Sequence, residues 1–535
     1  VDLRPLARVW KARRVEQLTA EVTVAVLGAG TMGVGIAEVA ARTHHAVRLL
    51  DTRPGAAQAG IDTIGRRLAR DVSGGRLEAD QARDVIALLR PAGGIADLAG
   101  CGIVVEAITE DLGAKRGLLR QVEEVVGQGV GREVLLASNT SSLSITALAA
   151  ALQRPGLLVG LHFFNPAPGM ALVEVVRGEA TEPKVVDAAV DLVRAWGKTP
   201  VLCRSAPGFV VNRVARPYYG EAQRVVEAGA TDPATVDAVL REAGGFPMGP
   251  FELADLVGQD VDLAVTRAVW EQTFHDPRYA PTVYQQRLVD AGRLGRTTGH
   301  GVYAYTPEGE ALHATPATAS PRPAPVAVEL LDDDFGPMAP FLDRVEAAGV
   351  RIDRTELGED STGEDLPGLR LPGGGLLRVT DGSTARSWIL EAPGGVILLD
   401  WAHDPATCQR VALMAPRDVD PVALDAAVGF CQAAGVDVSV IGDVAGGIVA
   451  RTVAMLVNEA VDLVARGEAT ATDVDVAMLL GTAYPSGPLE WGDRLGAVRV
   501  ASVLGELHDD TPTGRYRVAP RLDEAVMAEE NLRDL

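Results

Sequence analysis

Residues 22–51 constrain the fold more than any other stretch of the chain. A β-branched, apolar run at 22–27 leads directly into Gly28-Ala29-Gly30-Thr31-Met32-Gly33. Apolar residues then recur at helical spacing through Ile36, Val39 and Ala40, and a second apolar run at 46–50 ends in Asp51. A strand, a GxGxxG turn, a helix and a strand closed by an acid about 20 residues beyond the glycines make a dinucleotide-binding βαβ unit. Gly28 permits the tight turn, Gly30 lets a pyrophosphate reach the backbone, and Gly33 lets helix and strand pack closely. The helix N-terminus adds amides and a positive dipole end, and Thr31 and Met32 belong to the same cofactor-binding turn. Asp51 accepts the ribose hydroxyls and repels a 2′-phosphate, so the expected cofactor is NAD rather than NADP.

The pattern beyond Asp51 continues an α/β sheet. Residues 54–89 form a helical hairpin broken near Ser73-Gly74-Gly75 and carry Arg66, Arg67, Arg70 and Arg76, a landing site for phosphates or a solvated helix face. Strands follow at 103–105, leading into Glu106-Ala107-Ile108-Thr109-Glu110, and at 133–137, leading into Ser138-Asn139-Thr140-Ser141-Ser142, with a helix containing Lys115 between them. Polar residues thus gather just past strand ends, where open α/β sheets bind ligands; one of these hydroxyls also serves as an N-cap for the helix at 143–152. Next come two buried strands, around His162 and around Glu174, joined by a Pro/Gly-rich connection at 165–169. A carboxylate beside an imidazole fixes its tautomer and stabilises its protonated form, which suits an acid/base pair; a satisfied structural histidine is the alternative.

A final strand at 200–202 precedes a change to helices alone, at 209–228, 233–242 and 251–274. The segment ends in Gly295-Arg296-Thr297-Thr298-Gly299 and an apolar run at 302–305, followed by an Ala/Pro/Thr-rich stretch. Residues 208–258 set against 446–496 without a gap share about 15 identities, including PxGPxExxD in both, so a second copy of the helical domain is expected. The expected organisation is a Rossmann-type domain with an N-terminal extension at 1–204, a helical domain at 205–305, a linker at 306–325, a small α/β module at 326–440 and a second helical domain at 441–535. The module shows strands at 326–331, 396–399 and 411–413 and no glycine fingerprint. The acidic run ending at Phe335 lacks the companion motifs of a metal or kinase site.

With 535 residues, 47% of them hydrophobic, and a formal charge of -22, the chain suits a soluble multidomain protein and not a nucleic-acid binder. Its four cysteines have no CxxC spacing, so no metal site is expected and a reducing compartment is favoured. No apolar run approaches the ~20 residues of a membrane span. The first residues, VDLRPLARVWKARR, lack the apolar core of a secretory signal, and a cytoplasmic enzyme is expected.

Together, GAGTMG, VVEAITE, SNTSSL, GLHFFNPAPGMALVEVV, PGFVVNR and FPMGPFELADLVG resemble the 3-hydroxyacyl-CoA dehydrogenase family over residues 22–305, in its long form with a duplicated helical domain. The resemblance implies NAD-dependent oxidation of an (S)-3-hydroxyacyl-CoA, of the 3-hydroxyadipyl or 3-hydroxybutyryl type, in phenylacetate breakdown. It implies His162 as catalytic base with Glu174 as its partner, and Ser141, Asn165 and Asn212 as positioning groups around substrate and nicotinamide. It also implies that Glu110 and Lys115 lie beside the cofactor; with such a substrate, Arg66, Arg67, Arg70 and Arg76, a basic patch in an acidic chain, are expected to meet the CoA phosphates. Where relatives carry GKK, this chain has Gly295-Arg296-Thr297, so a cofactor-proximal lysine is replaced. Asn212 aligns with Ala450, so one active site per chain is expected, with the two helical domains paired as an internal mimic of a dimer and a homo-oligomer open. The alternatives are a related hydroxyacid or sugar-acid dehydrogenase and a non-catalytic acyl-CoA-binding subunit.

Overall fold

The computed structural model describes residues 22–126, 134–312, 314–331, 335–356, 367–388 and 394–535. The basic N-terminal segment and Asp332–Asp334 of the acidic run lie outside them. The chain divides into two compact units between Phe209 and Val210.

The first unit holds an eight-stranded sheet, in the order β3-β2-β1-β4-β5-β6-β7-β8. The strands are β1 (Val24–Leu27), β2 (Val47–Leu50), β3 (Leu89–Pro91), β4 (Ile103–Glu106), β5 (Leu135–Ser138), β6 (Leu158–Phe163), β7 (Leu172–Arg177) and β8 (Thr199–Arg204). Neighbours are parallel except β6 and β7, which are antiparallel. Every residue of β1, β4 and β5 is buried, so these strands read as continuous apolar runs without alternation. The sequence gives no sign of β3, because a three-residue strand ending in Pro91 survives only at an edge, where the missing N–H is not needed. The helices are α1 (Thr31–Arg42), α2 (Ala56–Ser73), α3 (Ala79–Leu88), α4 (Leu112–Val126), α5 (Ile145–Ala149) and α6 (Pro183–Ala195).

The register fixes where ligands can sit. Leu50, Leu27, Glu106, Ser138 and Gly160 lie side by side across five strands. Residues following the first four of these therefore open onto the carboxyl edge of the sheet, at the reversal of strand order between β1 and β4. His162 lies two residues beyond Gly160 on β6, past the end of its neighbour β5.

The second unit begins with α7 (Val211–Val214), α8 (Arg216–Glu227), α9 (Pro233–Glu242), α10 (Pro250–Val257), α11 (Gln259–Gln272) and α12 (Val283–Asp290). Two helices expected as single pieces are broken. The first divides at Ala215, with Pro217 taken into the opening turn of α8, where its missing donor costs nothing. The second divides at Gly258, whose φ of +107° is open to glycine. A small hairpin, β9 (Ala304–Tyr305) with β10 (Ala311–Leu312), occupies the start of the stretch expected as a linker. The remainder of that stretch is not a free tether: Ala319 N donates to Val438 O at 2.7 Å, and Gln432 donates to Ala319 O and Ser320 O.

Among the described residues seven strands, not three, build the module: β11 (Ala327–Leu331), β12 (Arg351–Thr355), β13 (Gly368–Arg370), β14 (Leu376–Val379), β15 (Val396–Leu399), β16 (Arg410–Ala415) and β17 (Asp437–Gly442), in the order β12-β11-β13-β14-β15-β16-β17. The edge strand β12, RIDRT, exposes four of its five residues and carries no apolar signal. The module's helices are α13 (Ala339–Ala347) and α14 (Pro421–Ala433), and α15 (Val449–Ala465), α16 (Ala471–Gly481), α17 (Pro488–Leu495), α18 (Ala497–Asp510) and α19 (Pro520–Ala528) complete the unit.

The repeat in sequence is a repeat in structure. Asp237 accepts from the N–H groups of Phe251 (2.9 Å) and Glu252 (3.1 Å) at the start of α10. Asp475 accepts from Leu489 (2.8 Å) and Glu490 (3.1 Å) at the start of α17. The two helical copies meet through reciprocal buried clusters. Glu459 of the second copy receives Arg278 (3.2 Å) and Arg213 (3.7 Å) and the Tyr279 hydroxyl from the first. Glu221 of the first receives Arg515 (2.5 Å), Arg451 (3.0 Å) and the Tyr516 hydroxyl (3.0 Å) from the second. Equivalent residues exchanging roles across a contact define a self-complementary interface, here within one chain. Among the described residues no helix is long and apolar enough to cross a membrane.

Candidate active site

The glycine turn is built as its sequence requires. Gly28 has φ +104°, and a Cβ there would lie 2.5 Å from Ala107 O. A Cβ on Gly33 would lie 1.8 Å from Gly28 O, so no other residue lets α1 pack on the turn. Around Gly30 a Cβ would meet nothing within 4 Å, which leaves the backbone open to a ligand. Thr31 and Met32 form the first turn of α1. A cleft of ≈ 650 Å³ is lined by Gly28, Gly30, Asp51, Arg53, Ala107 and Thr109 among others, so the residues present fit a dinucleotide.

Asp51 sits at the end of β2, 8% exposed, and accepts from Ala29 N at 2.8 Å. Arg53 clasps it with Nε at 3.0 Å and a second guanidinium nitrogen at 3.1 Å. The Arg53 bonds, helped by two backbone amides and opposed by partial burial, bring the Asp51 carboxyl down to about 2. The sequence reading overlooked Arg53, two residues past the acid.

Behind the neighbouring strand ends runs a charged chain. Glu106 is fully buried and accepts from Lys115 Nζ (2.6 Å), Ser138 Oγ (2.6 Å) and Ile108 N (2.7 Å). Lys115, 1% exposed, also lies 3.3 Å from Glu110. It bears on the cleft through Ile108, a lining residue whose carbonyl it meets at 3.3 Å, and its ammonium is enclosed beneath the surface. Glu110 gathers the loop after β5: one oxygen accepts from the Thr140 hydroxyl (2.5 Å), Ser141 N (2.9 Å), Ser141 Oγ (3.3 Å), Ser142 N (3.0 Å) and Ser142 Oγ (3.0 Å). Burial pushes its carboxyl up, but the Lys115 charge and these donors outweigh burial and hold it below the usual range. The N-cap of α5 is Ser144, which accepts from Ala147 N at 3.1 Å; no residue of the 138–142 cluster fills that place.

His162 and Glu174 face each other in the β6–β7 register, with Nδ1 2.6 Å from a Glu174 oxygen. Glu174 is fully buried and His162 is 6% exposed. With Nδ1–H donating to the carboxylate, the neutral ring carries its lone pair on Nε2. The rings of Phe164 (4.5 Å between centroids) and Phe209 (5.8 Å) flank the imidazole. Asn139, absent from the sequence-derived site, accepts from Phe163 N at 2.8 Å and ties β6 to the end of β5. Its place in the polar SNTSSL cluster is visible in the sequence, but nothing there marks its bond to β6. Asn165 is exposed in the β6–β7 connection, before a cis bond to Pro166. Asn212 belongs to the second unit, in α7.

The arginines of α2 lie beside a second cleft of ≈ 610 Å³. Arg67, Arg70 and Arg76 line it with Arg42, Lys198 and the loop residues Pro166, Pro168 and Gly169, while Arg66 is not among its lining residues and donates to Thr63 at 2.8 Å. Glu38 and Asp71 offset part of the charge, pairing with Arg42, Arg67 and Arg76. In the second unit, Arg296 stacks over Tyr305 with its guanidinium 5.7 Å from the ring, and Thr297 is exposed.

Comparison with known proteins covers nearly the whole chain. The 3-hydroxyacyl-CoA dehydrogenase NAD binding domain matches residues 23–206, and the C-terminal domain of that family matches 208–305 and again 446–534. A 3-hydroxybutyryl-CoA dehydrogenase reduced Rossmann-fold domain matches 377–444. The 3-hydroxyadipyl-CoA dehydrogenase of Escherichia coli K12 is 41% identical over 508 residues, covering 95% of this chain and 98% of that protein. The human mitochondrial hydroxyacyl-coenzyme A dehydrogenase is 37% identical over 53% of this chain and 90% of its own length. A crystal structure of 3-hydroxybutyryl-CoA dehydrogenase from Escherichia coli K12 superposes with a TM-score of 0.82 at 39% identity, over 95% of this chain and 99% of that one.

Proposed function

The chain belongs to the 3-hydroxyacyl-CoA dehydrogenase family, and from that premise we propose which of its residues carry the NAD-dependent oxidation of a 3-hydroxyacyl-CoA to the 3-oxoacyl-CoA. The observation that carries the reading is the 2.6 Å contact of His162 and Glu174 at the carboxyl edge of a dinucleotide-binding sheet. His162 takes the substrate hydroxyl proton at Nε2, and Glu174 holds Nδ1 and stabilises the imidazolium that forms. The cofactor supplies the hydride acceptor for the β-carbon. Ser141, held in place by Glu110, and Asn165 orient the reacting oxygen and the nicotinamide; for Asn212 such a role rests on the family likeness alone. The phenyl rings of Phe164 and Phe209 keep water from the imidazole.

Arg67, Arg70 and Arg76 with Arg42 receive the CoA phosphates; the cleft geometry does not support a direct part for Arg66. For the acyl group we favour a 3-hydroxyadipyl-type substrate and a place in phenylacetate breakdown, because the likeness to the enzyme of that name extends through the duplicated domain. The 3-hydroxybutyryl reading is supported by the solved structure of that name. Four buried free cysteines support a reducing compartment such as the cytoplasm. Initial rates of NAD reduction across 3-hydroxyadipyl-, 3-hydroxybutyryl- and longer 3-hydroxyacyl-CoAs test the substrate. The highest kcat/KM is expected for the adipyl compound; an equal or higher value for the butyryl compound overturns that choice.

A further inference from the structure

The loop between β6 and β7 joins the strand carrying His162 to the strand carrying Glu174. Its own closure is slight: Gly169 N and Met170 N both donate to Pro166 O, at 2.9 and 3.0 Å. Three further carbonyls of the loop turn instead to one cation outside it. Lys198, the residue before β8, places Nζ 2.8 Å from Ala167 O, 3.0 Å from Pro168 O and 2.7 Å from Met170 O. An ammonium has three donors, and here three carbonyls take them all. Next along the chain, Thr199 N donates to Ala171 O at 2.8 Å, so the hold passes into the β7–β8 ladder.

The opposite side of the loop rests on the cofactor helix. A Cβ added to Gly35 of α1 would lie 3.1 Å from Ala167 Cβ and 3.3 Å from Pro168 Cδ. The loop is thus held between α1 and Lys198, and its residues Pro166, Pro168 and Gly169 form one wall of the arginine-lined cleft. One side chain therefore joins the wall of that cleft to the strand pair that sets His162 against Glu174.

We propose that Lys198 is a positioning residue for 3-hydroxyacyl oxidation: its three bonds to the Ala167–Met170 carbonyls hold the loop so that His162 and Glu174 stay in register and the cleft keeps its wall. This rests on the assignment of His162 as the base and of the cleft to CoA. A clamp of this kind contributes to turnover and acyl-CoA binding while leaving most of the NAD affinity alone, because no residue of the loop lines the dinucleotide cleft.

Lys198→Met keeps the length of the side chain and removes its donors, Lys198→Arg keeps charge and donors, and Lys198→Gln keeps part of the donor capacity. Each is measured in the full chain for kcat and KM with 3-hydroxybutyryl- and 3-hydroxyadipyl-CoA, for NAD affinity by fluorescence titration, and for hydrogen exchange at 165–171. For Lys198→Met, kcat/KM for acyl-CoA is expected to fall about ten-fold or more, exchange at 165–171 to rise, and NAD affinity to stay within about two-fold. Lys198→Arg is expected to recover part of the loss. If Lys198→Met does not fold, Lys198→Gln is judged by the same criteria. Unchanged kcat/KM and exchange, or an equal loss of NAD affinity, overturns the proposal. His162→Ala serves as the reference: if it loses turnover while Lys198→Met does not, the clamp alone is wrong, and if His162→Ala is fully active, the reading beneath it is wrong.

Discussion

Replacing Glu221 by glutamine tests the internal pairing of the helical copies with a magnitude the structure provides. Burial pushes the Glu221 carboxyl up, but the charges of Arg515, Arg451 and Arg224 outweigh burial and bring it to about 2, against an ordinary 4.5. That displacement corresponds to about 3 kcal/mol. A folded-state value below the unfolded one gives stability that is present above the unfolded value and is lost as pH falls through the folded value. The contribution should therefore be complete at pH 7, fall by about 1 kcal/mol by pH 4, and reach about half near pH 3. Removing one member of a buried ion pair gives a similar figure, about 3–5 kcal/mol, because Arg451 and Arg515 are left buried without their carboxylate. At about 2 °C per kcal/mol for a unit of this size, Glu221→Gln should melt about 6 °C below the parent chain at pH 7, with a smaller gap at pH 4. Glu459→Gln, which strands Arg213 and Arg278, should act in the same direction. Calorimetric melting at the two pH values is the assay. A Glu221→Gln chain within about 1 °C of the parent at pH 7, or a gap that widens on acidification, would refute the reasoning.

Arg53→Ala should raise the preference for NAD over NADP, since it removes the cation beside the ribose-binding carboxylate and leaves both Asp51 oxygens to the hydroxyls; a shift towards NADP in the ratio of kcat/KM values would contradict this. Because Asp51 titrates at about 2, it stays ionised from pH 5 to 9, and any change of the preference in that range should follow the second ionisation of the 2′-phosphate at about pH 6. Arg67→Gln, Arg70→Gln and Arg76→Gln together should raise the KM for acyl-CoA about ten-fold and weaken its salt dependence with little change in kcat. An unchanged KM would remove this cleft from the CoA path.

What the chain discloses about itself depends on whether an interaction carries a recurrent pattern. The glycine turn, Asp51 and the central strands are legible because they form one fixed arrangement of residue types, the βαβ unit of about 30 residues. His162 and Glu174 are legible as strand residues of suitable chemistry, and their pairing follows from a short connection. Lys198, Asn139 and Arg42 were not legible, because their roles arise from contacts with backbone or side chains 24–31 residues away that no spacing encodes. Arg53 lies two residues from its partner and could have been weighed, but an exposed arginine after a strand has no pattern of its own. The module's sheet was under-read for the opposite reason: β12 and β13 are short or polar, and tertiary pairing rather than local propensity makes them strands.

The central claim is that His162 moves the proton, and the turnover of His162→Ala tests it most directly. With saturating NAD and acyl-CoA, kcat should fall about 10²–10⁴-fold, while NAD affinity measured by titration stays within about two-fold of the parent. A His162→Ala chain that binds NAD normally and turns over at the parent rate would show that another group carries the proton.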